Sequence, residues 1–224
     1  MQENLAAAKY EISRADKTDL AAITRIYNAS ILERNATATL HPVGIEERET
    51  WFDAHEAANR PIYVLRELCD VNLTIEDGET FKTDCERKFD SKRENLGAQK
   101  PSVTSPKGEI LAWGSLSDYH PREGYRITAE ISVYVAADAR GKGLGGRLVK
   151  FILESAPKFG IKNVVALIFS SNAASLNLFA KFGFALWGKL PEVCDMDGKI
   201  ESLTIARNLV KICSATIGQA EALL

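Results

Sequence analysis

Seven consecutive residues, Arg140-Gly141-Lys142-Gly143-Leu144-Gly145-Gly146, constrain this chain more than any other stretch. An apolar alternating run from Ile127 to Val135 precedes them, and Leu144, Leu148, Phe151 and Ile152 form an apolar stripe after them. The segment therefore reads as a turn from a strand into an amphipathic helix. Glycines let the main chain take positive φ and approach a ligand closely, and backbone N–H groups at a helix start make a cradle for negative charge. Four glycines and two cations in such a place suit a diphosphate. No Gly-Lys-Ser/Thr closes the loop, so it is not a Walker loop, and its spacing is not the dinucleotide fingerprint. The plain alternative is a glycine turn with two solvated cations, and the flanking strand and helix weigh against it.

The rest of the chain supplies a mixed α and β order around one central sheet. Tyr10 to Ser13 alternates as a strand, and Asp16 with Asp19 three residues on opens a helix carrying Leu20, Ile23, Tyr27 and Ile31. A turn at Thr37-Ala38-Thr39-Leu40-His41-Pro42 leads to a second helix from Ile45 to about Ala58, which carries Trp51 and Phe52. Strands are expected at Pro61 to Leu65 and Glu109 to Ser117. Between them, at about 67–108, charges of both signs and scattered Gly, Ser and Pro mark an insertion. Within it Val71 to Ile75 is a candidate strand and Phe81 to Leu96 a candidate helix. Past the glycine loop, Pro157 and Gly160 end the helix, and Val164 to Phe169 is a continuous apolar run of the kind buried on both faces. A helix from near Asn172 to Gly183 and strands at Phe184 to Trp187 and Glu201 to Asn208, with Gly198 in the turn between them, complete the order.

Composition excludes several classes. The 224 residues, 46% hydrophobic, suffice for one sizeable core, so the expectation is a single domain carrying the insertion. Lys+Arg at 28 against Asp+Glu at 30 gives no electrostatic case for nucleic acid or an anionic membrane surface. Cys69, Cys85, Cys194 and Cys213 are scattered and lack nearby histidines, and His55 and His120 have no metal-ligand spacing, so no metal is expected. Free thiols, no leader and no apolar run of about 20 residues point to a cytoplasmic protein.

Several ordered motifs resemble one family. Arg140-x-x-Gly143-x-Gly145 after Ile131 to Val135 is similar to the acetyl-CoA motif of the GNAT superfamily of N-acetyltransferases. Thr128-x-Glu130-x-Ser132, Asn172-Ala173-Ala174-Ser175 and Lys181-Phe182-Gly183-Phe184 resemble its phosphinothricin and methionine-sulfone acetyltransferase branch. Ile26-Tyr27-Asn28, Thr37-Ala38-Thr39 and Glu46-Glu47-Arg48 do so too. The resemblance covers nearly all the chain outside the insertion and the termini.

It implies an α/β GNAT fold with a central mixed, splayed sheet flanked by helices, and acetyl-CoA as co-substrate. In that family the strand at Val133, Tyr134 and Val135 hydrogen-bonds the pantetheine arm through its backbone. The loop of Arg140, Gly141, Lys142, Gly143, Leu144, Gly145 and Gly146 holds the diphosphate, and Asn172 reaches the pantetheine from the start of the next helix, with Ser175 also on the cofactor side; Asn172 suits an N-cap as well. Glu130 matches the catalytic base, against a plain surface carboxylate on alternation alone. Arg122 and Tyr125 match the substrate side, where a guanidinium pairs with a carboxylate. Leu40 stands where an aromatic often lines the substrate pocket, Phe179 where the branch has a histidine and wider relatives a tyrosine, and Ile200 with Ser202 where the branch shows Trp and Asp.

The implied reaction is direct attack of a small amino-acid-like primary amine on the thioester in a ternary complex. No enzyme nucleophile is needed, and none of the cysteines lies in a matched segment. The alternatives are a protein N-acetyltransferase and a catalytically weakened CoA-binding sensor or scaffold. A homodimer is compatible with the sequence, and the insertion is one place for its contact.

Overall fold

The computed structural model describes residues 10–68 and 108–210. The insertion expected at about 67–108, with its candidate strand and helix, lies outside the described residues except at its two ends, as do Cys69, Cys85 and Cys213.

Strand β1 (Tyr10–Arg14) leads to a capping box, in which the Asp16 side chain accepts from Thr18 N at 2.9 Å and Asp19 Oδ2 accepts from Asp16 N at 3.0 Å. The reciprocal bonds satisfy donors that a helix start leaves open. Helix α1 (Leu20–Leu32) follows and buries Leu20, Ile23, Ile26 and Ile31. Helix α2 (Ile45–Ala57) places Arg48, Trp51, Phe52 and His55 on one face by their three- and four-residue spacing. Strands β2 (Ile62–Glu67) and β3 (Ile110–Asp118) flank the insertion and pair antiparallel. Arg66 on β2 reaches Asp19 at 2.6 Å, and both side chains are 2% exposed, which fixes the start of α1 to the sheet.

Strand β4 (Thr128–Val135) runs into the glycine loop and helix α3 (Leu144–Ser155), and β5 (Asn163–Phe169) returns parallel to β4. Helix α4 (Ala173–Lys181) and the hairpin of β6 (Ala185–Met196) and β7 (Lys199–Leu209) complete a seven-stranded sheet of order β1-β2-β3-β4-β5-β7-β6. Every neighbouring pair is antiparallel except β4 with β5. The two faces are covered by different helices. Trp113 on β3 meets Tyr27 of α1 and Trp51 of α2, whereas a Cβ on its neighbour Gly114 would lie 2.8 Å from Ile152 of α3. A larger residue at 114 would push α3 off the sheet.

Most expected elements stand within two residues of their places, and two readings need correction. Strand β6 spans twelve residues, far beyond Phe184 to Trp187, because register shifts at Leu186/Gly188 and Leu190/Cys194 absorb Gly188 and Pro191. Those residues broke the alternation in the sequence. The run Val164 to Phe169 is not buried on both faces throughout, since Leu167 is 39% exposed. Its exposure comes from the parting of β4 and β5. No helix among the described residues is long and apolar enough to cross a membrane.

Candidate functional site

Strands β4 and β5 pair over three residues only: Thr128, Ala129 and Glu130 opposite Asn163, Val164 and Val165. Beyond Glu130 each keeps its other neighbour, β4 with β3 and β5 with β7, and the two separate. A cleft of about 490 Å³ opens there, lined by Ile131 to Tyr134, Ala166 to Phe169, the loop from Asn35 to Thr39, and Asn172, Ser175 and Phe179. From Ile131 to Val135 the β5-facing edge of β4 has no strand partner. Backbone donors and acceptors there are open to an extended ligand, except Val135 O, which accepts from Arg140 Nε.

Glu130 lines this cleft at the fork and is half-buried. Burial raises its pKa above the ordinary carboxylate range, and no neighbouring charge among the described residues contributes to the shift. A carboxylate that holds a proton more readily than usual suits proton abstraction. Along the same face, Tyr134 stacks on Trp113 with ring centroids 4.7 Å apart and meets Tyr27 edge-on at 5.2 Å. Burial drives the Tyr134 phenol far upward, so it is neutral. The Tyr27 hydroxyl lies 3.0 Å from Thr37 Oγ1 and 2.7 Å from Thr39 Oγ1, which pins the loop that walls the cleft.

The glycines of the loop divide into two kinds. Gly141 and Gly143 both have φ of +77°, and a Cβ on either would meet no protein atom within 4 Å. They are glycines for backbone conformation, with open space before them that a side chain would fill. A Cβ on Gly145 would meet Leu178 at 3.4 Å, and one on Gly146 would meet Phe182 at 3.3 Å. Those two admit α4 against α3. Gly143 is the N-cap of α3, so the positive end of that helix faces the same space. Leu144 is buried in the core, while Arg140 and Lys142 are exposed. Arg140 pairs with Glu33 at 2.8 Å and donates from Nε to Val135 O at 3.3 Å.

Asn172 caps α4: its Oδ1 accepts from Ser175 N at 3.0 Å and its Nδ2 donates to Asn35 O at 2.8 Å. Both residues line the cleft with Val133 and Tyr134. Arg122, Tyr125 and Leu40 are not among the cleft-lining residues. Arg122 and Tyr125 sit on an exposed turn, where Arg122 N donates to His120 Nδ1 at 3.1 Å and Tyr125 packs on the His120 ring at 4.6 Å. Leu40 is half-buried beside Thr39. Phe179 is buried edge-on to Phe184 at 4.9 Å and offers no proton.

Two residues had no role assigned from the sequence, although Arg48 lies in the matched segment Glu46-Glu47-Arg48. His55 is buried and joins Trp51 O to Ser117 Oγ, each at 2.9 Å, with Ser117 directly across the ladder from Glu130. Arg48 is buried with its guanidinium 4.0 Å from the Tyr27 ring centre and 4.3 Å from that of Trp51. Its Nε and Nη2 have no hydrogen-bond partner, and desolvation lowers its pKa. Only the strand register and the stripe on α2 bring these residues together.

A strand that leaves its parallel neighbour, a positive-φ glycine loop entering a helix, and a carboxyl at the fork form one arrangement. The family model described as Acetyltransferase (GNAT) family matches residues 46–184. This chain belongs to the GNAT acetyltransferase family. A Bacillus subtilis protein with the provisional name phosphinothricin acetyltransferase YwnH is 35% identical over 85% of the chain and 93% of its own length. The L-methionine sulfoximine/L-methionine sulfone acetyltransferase of Pseudomonas aeruginosa is 32% identical over 86% of this chain and 90% of its own. A Salmonella typhimurium structure, provisionally named an acetyltransferase and solved with acetyl-CoA, superposes with a TM-score of 0.69 at 27% identity, covering 93% of this chain and 98% of that one.

These relatives set the GNAT protein within the phosphinothricin-like branch. It is an N-acetyltransferase whose co-substrate is acetyl-CoA. The residues present fit that group, since Gly141 and Gly143 hold open a space that a Cβ would enter and the β4 edge is unpaired beside it.

Proposed function

We propose that this GNAT enzyme acetylates the primary amine of a small amino-acid-like acceptor, of the phosphinothricin or methionine-sulfone type, with Glu130 as the base. The observation that carries the reading is the Glu130 carboxyl, half-buried at the fork of β4 and β5 with its pKa raised by burial alone. The names of the Pseudomonas relative and of the L-amino acid N-acyltransferase MnaT of Escherichia coli, 30% identical over 85% of this chain, support an amino-acid acceptor. The chain would form one acetyltransferase domain into which the stretch at about 67–108 is inserted.

Acetyl-CoA supplies an activated acetyl group, whose carbonyl carbon bonds to the amine nitrogen as the C–S bond breaks and the thiolate leaves. The backbone of Val133, Tyr134 and Val135 would hold the pantetheine arm. The N–H groups of the loop from Arg140 to Gly146 would hold the diphosphate, and Asn172 with Ser175 would reach the pantetheine from the start of α4. An ammonium cannot attack until it loses a proton, and Glu130 would take that proton directly or through water. Arg122 would pair with the acceptor carboxylate, with Tyr125 and Leu40 on the same substrate side, although none of the three is among the residues that line the cleft.

The test is a panel of free amino acids, methionine sulfone and phosphinothricin assayed by thiol release with acetyl-CoA. Release with at least one is expected. Release with none, alongside measurable CoA binding, would overturn the acceptor class and favour a protein substrate or a CoA-binding sensor.

A further inference from the structure

The loop between α1 and α2 is tied at its two ends to different parts of the molecule. Its far end stays with α1: the Tyr27 hydroxyl holds Thr37 and Thr39, while Asn28 Oδ1 accepts from Val43 N at 2.9 Å and Asn28 Nδ2 donates to Val43 O at 3.0 Å. Its near end reaches three other elements. Glu33 meets Arg140 at 2.8 Å, Arg34 Nη2 donates to Asp197 Oδ2 at 2.5 Å, and Asn35 O accepts from Asn172 Nδ2 at 2.8 Å. Helix α1 packs on β3 and β4, whereas Asn172 opens the helix after β5 and Asp197 lies in the turn between β6 and β7, on the β5 side of the sheet. The Arg34 and Asn35 contacts therefore bridge the gap where β4 and β5 part.

Arg34 follows Glu33, the C-cap of α1, and has a φ of +56°. Glycine is the usual residue there, because the left-handed conformation penalises a Cβ. What offsets that penalty comes from the side chain, and the contact that it makes is with Asp197, since Nη1 is enclosed without a hydrogen-bond partner. Asp197 is a fixed post. With φ values of +58° and +90°, Asp197 and Gly198 are the central residues of a two-residue hairpin turn, in which Gly198 N donates to Asp195 Oδ1 at 2.7 Å.

We propose that residues 33–39 are a strap across the cleft, clasped by Arg34 on Asp197, and that the clasped strap holds the amine acceptor. Arg34 and Asp197 are then positioning residues. Neither lines the cleft, and they act through Asn35 to Thr39, which do. The other two anchors of the near end run through Arg140 and Asn172, both given above to acetyl-CoA, so the Arg34 clasp is the one that can part without touching the cofactor's residues. An acceptor that binds the clasped form has an apparent affinity scaled by the clasped fraction. The inference rests on the proposed acetylation of a small amine at Glu130, which lines the same cleft.

The experiment compares Arg34→Gly and Asp197→Gly with wild type in the full chain, by hydrogen exchange of the amides at 35–39 and by steady-state kinetics. Glycine suits the positive φ at both positions, so each variant removes the clasp and keeps the turn. Exchange at 35–39 should quicken and the acceptor KM should rise, each by about twofold to fivefold, which is what a partly exposed ion pair supplies. The kcat and the acetyl-CoA affinity from calorimetry should stay near wild type, and Arg34→Gly should melt no lower. A merely structural pair would instead lower the melting point and leave KM in place. Unchanged exchange in both variants, or faster exchange with the acceptor KM unmoved, overturns the proposal. If wild type acetylates no amine of the panel, the acceptor reading fails and the holding role falls with it, whereas unchanged exchange beside normal turnover of an amine sinks the strap alone.

Discussion

Arg140 at the head of the glycine loop pairs with Glu33 at the end of α1, Nη1 to Oε2, at 2.8 Å. The side chains are 44% and 31% exposed, so water screens the pair and its worth is at most about 1 kcal/mol. A diphosphate held by the loop would compete with Glu33 for the same guanidinium. Glu33→Gln should therefore tighten CoA binding by about twofold to fivefold at low salt, with the gain fading as salt rises. Calorimetry at two ionic strengths measures it. Equal or weaker binding in the variant would show that Arg140 takes no part in holding the cofactor.

Glu130→Gln carries two expectations that a surface carboxylate would not produce. As the base, Glu130 should cost a severalfold to ~10²-fold loss of kcat when replaced, with acetyl-CoA affinity nearly kept. Its raised pKa also sets a stability sign. The folded protein binds this proton more tightly than the unfolded chain does, so the contribution is present below the unfolded carboxyl value of about 4.3 and is lost as pH rises through the folded pKa. Glu130→Gln should thus melt higher than wild type at neutral pH and alike at low pH. A lower melting point at neutral pH would mean that the carboxylate stabilises the fold and is no strained base.

The line from residue pattern to site was readable where the chain is locally consistent. The capping pair Asp16 and Asp19, the stripe on α1 and the strand-loop-helix around Gly143 each depend on neighbours within a few positions, and each stands where expected. What depends on register was hidden. Ser117 faces Glu130 only because β3 and β4 pair as they do, and His55 reaches Ser117 across 62 positions that include the insertion. The extent of β6 was hidden too, since bulges let Gly188 and Pro191 stay in a strand. Leu167 read as core because periodicity cannot tell that two parallel strands part after three residues.

The division among the glycines gives a paired test. Gly143 has positive φ with open space around a Cβ, so Gly143→Val is strained by about 1–2 kcal/mol and places its side chain where the diphosphate would lie. CoA binding should be abolished. Gly146 sits inside α3 against Phe182, where an added methyl needs a shift of a few tenths of an ångström and gains up to about 1 kcal/mol of helix propensity. Gly146→Ala should change thermal stability slightly and leave CoA affinity nearly intact. Unchanged affinity in Gly143→Val, measured by calorimetry, would overturn the diphosphate role of the loop.

Phe179 bears on how the thiolate leaves. Its ring lines the cleft, is 6% exposed and lies edge-on to Phe184, so it can neither donate nor relay a proton. A thiol has a pKa of about 8.5, which makes its thiolate a competent leaving group near neutral pH without an acid. Phe179→Tyr should then leave kcat close to wild type and add no alkaline limb to the pH profile. Phe179→Ala should instead cost about 3–5 kcal/mol of stability through the cavity it opens. A gain in kcat for Phe179→Tyr approaching the ~10²-fold of a positioned acid would show that thiolate protonation limits turnover and that this chain works without a group its chemistry needs.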